Sequence, residues 1–313
     1  MPATNHKSTL PNPSPITAAR TEHNKGLSAG IFCFVFWGFA PVFFKLLQHV
    51  PALSIIAHRI IWAAAFLLLF LAIRERSQLL KTLRISPKQL LILFISGSLV
   101  ISNWLIFVWA VNDGQILATS LGYFTNPLVN IFLGLLFLGE RLNKTQTVAL
   151  IIAAAATTYL GFYLGQPPWI ALALAVTFGL YGLVRKTLDV GPLVGLFWET
   201  SLLLLPALLY LWWLNPEQIG FAYDLNTTAL LVLSGMITIL PLIGFNYAAK
   251  RLTLTLVGFL QYIGPSISFL IAVYFYGEDF TQGHKVAFAG IWTALVIVSW
   301  QSIRITLKQR ASL

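Results

Sequence analysis

Apolar runs of bilayer length, separated by short polar breaks, fill the chain from Gly26 onward. A helix needs roughly 20 mainly apolar residues, about 17–25, to cross a hydrocarbon core. Ten stretches meet that requirement: 27–47, 54–73, 89–111, 115–138, 145–163, 168–184, 192–214, 228–248, 254–276 and 284–303. Most connections are shorter than the helices they join, so sequential neighbours should run antiparallel. The alternating segments of an outer-membrane barrel do not occur. Residues 1–26 are polar and lack the apolar core of a signal peptide, so they read as a disordered tail on the starting side, with 304–313 as a second tail. The expected fold is all-α and integral to a membrane.

Composition agrees with the pattern. The chain is 58% hydrophobic and 10% charged, where a soluble protein carries about 25% charged residues. It has too few charges to coat a water-soluble enzyme of 313 residues. Cys33 is the only cysteine, which leaves no disulfide framework and no thiolate metal cluster. Neither a phosphate-cradling Gly-x-x-x-x-Gly-Lys-Ser/Thr loop nor His-Glu-x-x-His occurs, and no cofactor is expected.

The net charge of +10 would point to nucleic acid in a soluble protein. Sorted by connection, it gives an orientation instead. Lys7, Arg20 and Lys25 lie in the first tail. Arg74, Arg76, Lys81, Arg84 and Lys88 follow the second stretch, Arg141 and Lys144 the fourth, Arg185 and Lys186 the sixth, and Lys250 and Arg251 the eighth. Arg304, Lys308 and Arg310 end the chain. All fall on one side if there are ten helices, with Lys285 alone opposite. Basic loops stay inside, so both termini are expected in the cytoplasm of a bacterial inner membrane. No nucleic-acid partner is expected.

An internal repeat supports the helix count. Residues 103–161 align with 241–299 without a gap at an offset of 138, matching Phe107 to Phe245, Pro127 to Pro265, and Phe137, Gly139 and Glu140 to Phe275, Gly277 and Glu278. Near the start, Trp37-Gly38 and Lys45 match Phe178-Gly179 and Lys186 at an offset of 141. The unit is five helices, 27–163 and 168–303. Five is odd, so the halves are expected to be inverted, an architecture common in secondary transporters.

Four stretches carry a resemblance: Ala57-His58-Arg59-Ile60-Ile61-Trp62, Asn103-Trp104 through Trp109-Ala110-Val111-Asn112, Ser120 through Asn130, and Phe137-Leu138-Gly139-Glu140-Arg141-Leu142. They resemble the EamA branch of the drug/metabolite transporter superfamily, specifically its RarD-type members, over residues 26–305. The resemblance implies ten helices in two inverted halves, a central cavity lined by the first, third, fourth, sixth, eighth and ninth helices, and efflux of a small metabolite, amino acid or drug.

Candidate functional residues fall in two sets. Pro127 and Pro265 sit mid-helix at matched positions, where a missing N–H bends the helix and marks a transport site. Beside them lie Ser120, Tyr123, Asn126 and Asn130, and Gln261, Tyr262 and Ser266. Asn103, Trp104 and Trp109 extend this lining, with Trp109 alternatively an interface anchor. The alternative for the polar set is hydrogen-bonding glue between helices. The second set is ionisable. Lys45, His58 and Arg59 lie near one another across a six-residue loop and form a cationic vestibule for anionic or zwitterionic solutes, unless the cations simply snorkel. His58 and Glu199 are candidate proton-coupling groups. Glu199 alternatively pairs with Arg185 or Lys186. Glu140 and Glu278 read as caps or rim charges. The expected function is a secondary transporter of a small amphipathic solute; a receptor or scaffold, or a lipid enzyme, are its rivals.

Overall fold

The structure, a computed structural model, describes residues 15–112, 116–165, 168–214, 224–277 and 281–311, with side chains from 20 onward except at 108, 111–112, 116–120, 164, 168, 272 and 302–311. Ten helical spans occur among these residues. They are α1 (Pro15–Lys45), α2 (Ala52–Glu75), α3 (Pro87–Asn112), α4 (Ile116–Phe137) and α5 (Lys144–Leu164). The rest are α6 (Pro168–Thr187), α7 (Pro192–Leu202 and Leu204–Trp213), α8 (Leu225–Arg251), α9 (Leu254–Gln261 and Ile263–Tyr276) and α10 (Gln282–Ala311). Nine are long and apolar enough to span a membrane, and Leu121–Phe137 of α4 is a shorter apolar helix. The protein is an all-α, multi-pass membrane protein.

Both expected tails are corrected in part. Helix α1 begins at Pro15 rather than 27, and α10 runs on to Ala311 rather than 303. The early start has a cause: Glu22 pairs with Lys25 and with Arg251 on α8, both at 2.7 Å, and ties the polar turn to the bundle. Helices α7 and α9 are also broken where single helices were expected. In each case a proline lies four residues after the break. Pro206 has no N–H for the carbonyl of Leu202, and Pro265 has none for that of Gln261. The segments end at those two residues. Helix α4 continues through Pro127.

Helix ends follow local chemistry. Asn143 and Gln146 form a capping box at α5, and Thr253 accepts from Leu256 N at 3.1 Å at α9. Asp224 accepts from Thr227 N at 2.8 Å at α8, and the Thr227 side chain and backbone hold its carboxyl below the usual range. Gly139 and Gly277 have φ of +61° and +68°, which explains the glycine of both Phe-x-Gly-Glu ends. A Cβ on Gly139 would meet nothing within 4 Å. Gly139→Ala should therefore cost only its backbone strain, roughly 1–2 kcal/mol. Thermal unfolding in detergent measures this; an unchanged midpoint would contradict it.

Contacts between helices come in exchanged pairs. Helix α1 packs on α8 as α6 does on α3, α1 on α9 as α6 on α4, and α2 on α8 as α7 on α3. Helices α2 and α7, α4 and α9, and α5 and α10 pair with each other. Glycines permit the closest approaches, as small residues do between membrane helices. A Cβ on Gly38 would lie 2.6 Å from Ile267, and one on Gly179 2.8 Å from Val129. Two large buried clusters stand out among the described residues. One joins α1, α2, α3, α6, α7 and α8 with the start of α9; the other joins α4, α5, α9 and α10.

Candidate functional site

The ends of α2, α4, α6 and α8 carry Arg74, Arg141, Arg185, Lys186, Lys250 and Arg251 on or just after them. This basic end of the bundle is tightly tied. Glu140, just beyond α4, accepts from Leu254 N at 2.5 Å and Thr255 N at 2.8 Å, so it caps α9 rather than its own helix. A carboxylate at a helix N-terminus satisfies orphan donors and opposes the helix dipole. Lys186 donates to Ala249 O at 2.9 Å and to Leu252 O, which ties α6 to the end of α8. Glu278, the counterpart of Glu140, lies outside the described residues.

Glu199 is ion-paired with Arg185. It is 2% exposed, 3.6 Å from Arg185 Nε, and accepts from Ser96 Oγ at 2.6 Å. Arg185 was expected in a loop, because α6 was expected to end at 184. The helix instead continues to Thr187, and Arg185 is completely buried. Its guanidinium lies against Gly195, where a Cβ would come 2.6 Å from Cζ. The glycine is what leaves room for it. Arg185 Nε and Nη1 and Glu199 Oε2 make no hydrogen bond. A cavity of about 20 Å³ beside Glu199, reaching Trp104 and Ile60, is large enough for one water.

The polar residues near the prolines are distributed between two roles. Asn130 Nδ2 donates to Gln261 Oε1 at 2.5 Å, which joins α4 to α9 next to the α9 break. The same helices touch at Pro127, whose carbonyl oxygen would lie 2.8 Å from a Cβ on Gly258. Asn103 bonds Leu174 O and Thr177 on α6, and Ser266 accepts from Trp292 on α10 at 3.0 Å. These four make the interhelical bonds that polar glue would make. Asn126 and Tyr262 are buried with the Asn126 Oδ1 and Tyr262 hydroxyl lacking hydrogen bonds. Pro265 lies in the first turn after the α9 break. The Ser120 side chain lies outside the described residues. Trp109 is 46% exposed and its ring lies tilted against Trp169, 5.4 Å between centres, as an interface anchor would.

Lys45, His58 and Arg59 lie toward the opposite end of the bundle. Lys45 is exposed, with Nζ 3.6 Å from the centre of the Tyr276 ring. His58 is buried. Arg59 points toward other helices: Nε donates to Thr238 on α8 at 2.8 Å, and Cζ lies 4.3 Å from the Trp104 ring and 5.0 Å from Phe44. Lys45 and Arg59 therefore have different partners, although Phe44 stands beside Lys45. Tyr123 is within electrostatic reach of Arg59. Phe44, Thr238 and Ser96 escaped the sequence reading, as did the bond from Asn246 to Tyr181 at 3.0 Å. Thr238 and Asn246 were detectable as polar residues within an apolar span; Phe44 was not. A groove of about 270 Å³ along α3, with Ser98, Ser102 and Thr177 among mostly apolar neighbours, contains none of the residues singled out.

Comparison with known proteins converges on one group. The profile of the EamA-like transporter family matches residues 24–162. An uncharacterized transporter of Vibrio cholerae is 42% identical over 92% of this chain and 96% of its own length. Protein RarD of Escherichia coli is 41% identical over 89% and 95%. Chloramphenicol-sensitive protein RarD of Pseudomonas aeruginosa is 30% identical over 86% and 91%. A solved crystal structure superposes with a TM-score of 0.71 at 16% identity, covering 89% of this chain and 98% of that one, a likeness of fold alone.

Proposed function

The chain belongs to the EamA-like transporter family, among its RarD-type members, and from that premise we propose that it is a secondary transporter moving a small amphipathic solute by alternating access. The two five-helix halves, inverted relative to each other, rock around a cavity between them. The basic end faces the cytoplasm of a bacterial inner membrane, and transport is outward by analogy with the family. The exchanged helix contacts, such as Gly38 on Ile267 and Gly179 on Val129, support the inverted relation.

One observation carries the mechanism. Glu140 latches the α4 end of the bundle to the start of α9, while toward the other end Arg59 is half-buried and Tyr123 is 39% exposed. This is the asymmetry of an outward-facing state. At the repeat offset, Glu278 and the start of α4 correspond to Glu140 and the start of α9. The inward-facing state would release the Glu140 latch. Glu199, held by Arg185 and Ser96, has no role in coupling in this reading, and a proton relay rests on His58 alone. Coupling requires a change in protonation between the two states, which imidazole suits near neutral pH.

The test is counterflow of a metabolite panel into liposomes holding the purified full chain. Stimulated exchange of at least one solute is expected. No stimulation by any solute would sink the transport reading. With a transported solute in hand, His58→Ala should abolish the response to an imposed pH gradient; a full response would remove the proton from the mechanism.

A further inference from the structure

Arg59 is a cation that no group in the described protein neutralises. The described ion pairs are Lys25–Glu22, Arg74–Glu75, Arg185–Glu199 and Arg251–Glu22. The other described acids are also placed elsewhere: Glu140 caps α9, Asp224 caps α8, and Asp189 lies beyond α6 at the basic end. A charge inside a membrane protein is expensive and, when kept, faces a partner or a water-filled cavity. Thr238 takes one donor, and the rings of Trp104 and Phe44 supply π faces to the cation. Neither supplies negative charge.

The free side of the guanidinium is accessible. Arg185 Nε and Nη1 are buried without hydrogen bonds, whereas no nitrogen of Arg59 is in that condition, and Arg59 remains partly exposed. Nearby Tyr123 is 39% exposed. Both residues therefore border accessible space, which we take as one cavity. The Tyr123 ring packs at 5.7 Å from Phe107, so the cavity wall continues as aromatic surface.

We propose that Arg59 is the anion-recognition residue of this cavity and that its ligand is an organic monoanion, a single carboxylate on a compact apolar body. The proposal rests on the transport reading only in taking this cavity as the solute's binding place. The two terminal amino groups of the fork match a carboxylate edge in bidentate fashion. Phe44, Trp104 and Phe107 offer apolar surface to the remainder. A zwitterion fits poorly: its ammonium would find no described carboxylate here and would sit beside a guanidinium of like charge. A dianion would bring a second charge that one cation does not balance, and an amine would be repelled.

Four probes with one phenyl body separate these cases: phenylacetate, phenylalanine, phenylethylamine and phenylsuccinate. Radiolabelled phenylacetate binding to the purified full chain in detergent is expected, with the other three competing at roughly tenfold or greater disadvantage. Arg59→Gln, with intact unfolding behaviour, should weaken phenylacetate binding by about tenfold or more. Arg59→Lys keeps the charge without the fork and should bind with intermediate affinity, which also serves if the glutamine variant does not fold. Equal binding by wild type and Arg59→Lys together with Arg59→Gln, a preference for phenylalanine, or no phenylacetate binding to folded wild type would each overturn the proposal. Arg59-dependent binding without counterflow of any solute would instead overturn transport while leaving the site. Counterflow unaffected by Arg59→Gln would do the reverse.

Discussion

Replacing Arg185 with methionine is expected to destabilise the folded protein by roughly 3–5 kcal/mol, the loss typical when one partner of a buried ion pair is removed. The cause is the charge left behind. Glu199 is 2% exposed, and without Arg185 it keeps only the Ser96 hydroxyl. The same argument makes the double variant informative. Arg185→Met with Glu199→Leu removes both charges and leaves no uncompensated carboxylate, and apolar replacement of a buried pair is often neutral or better. The double variant should recover most of the lost stability. Arg185 and Glu199 already leave three polar atoms without hydrogen bonds, so the native pair is not an optimised one. Unfolding midpoints in detergent decide the matter. A single variant as stable as the parent, or a double variant no better than the single, would contradict the account.

Gly235→Val is the second large effect. A Cβ on Gly235 would lie 2.6 Å from Trp62 Cβ, 2.7 Å from Trp62 C and 2.8 Å from Ala63 N. Two of these neighbours are backbone atoms of α2, which cannot rotate away as a side-chain tip can. Overpacking that a core absorbs costs about 1–3 kcal/mol; here α8 must separate from α2, so a loss at or beyond the top of that range is expected. Gly97, the repeat counterpart of Gly235, meets the mobile Leu203 Cδ1 at 3.0 Å and Glu199 O at 3.2 Å. Gly97→Val should be milder. Gly191→Ala, with nothing within 4 Å, should be close to neutral. Folded yield and unfolding midpoint should follow that order, and a Gly235 variant matching the Gly191 control would refute the close contact.

The spans were legible because each is a local property, a run of apolar residues long enough for a bilayer. Their ends were less so. Arg20–Gly26 reads as polar tail, yet Glu22 finds Arg251 across the bundle and the helix holds. The break in α7 had a readable sign in Pro206 that the apolar pattern masked. Among candidate site residues, Tyr123 and Trp104 do stand near Arg59, while Asn103, Asn130, Gln261 and Ser266 are engaged between helices. Spacing on one helical face placed them toward the protein interior but did not distinguish a cavity wall from a helix contact.

By itself the sequence determined the membrane class, about ten spans and the end of the bundle at which basic residues gather, and it supplied the expectation of a five-helix repeat. All of these depend on composition and order along the chain. Only the tertiary structure decided which charges are neutralised. Arg185 looked like a loop charge and is a buried partner of Glu199; Arg59 looked like one member of a cationic rim and stands among aromatic rings with no carboxylate partner among the described residues. The reason is physical. The electrostatic state of a charge in a low-dielectric interior depends on groups within a few ångströms, and for Arg59 the nearest polar partner, Thr238, lies 179 residues away along the chain.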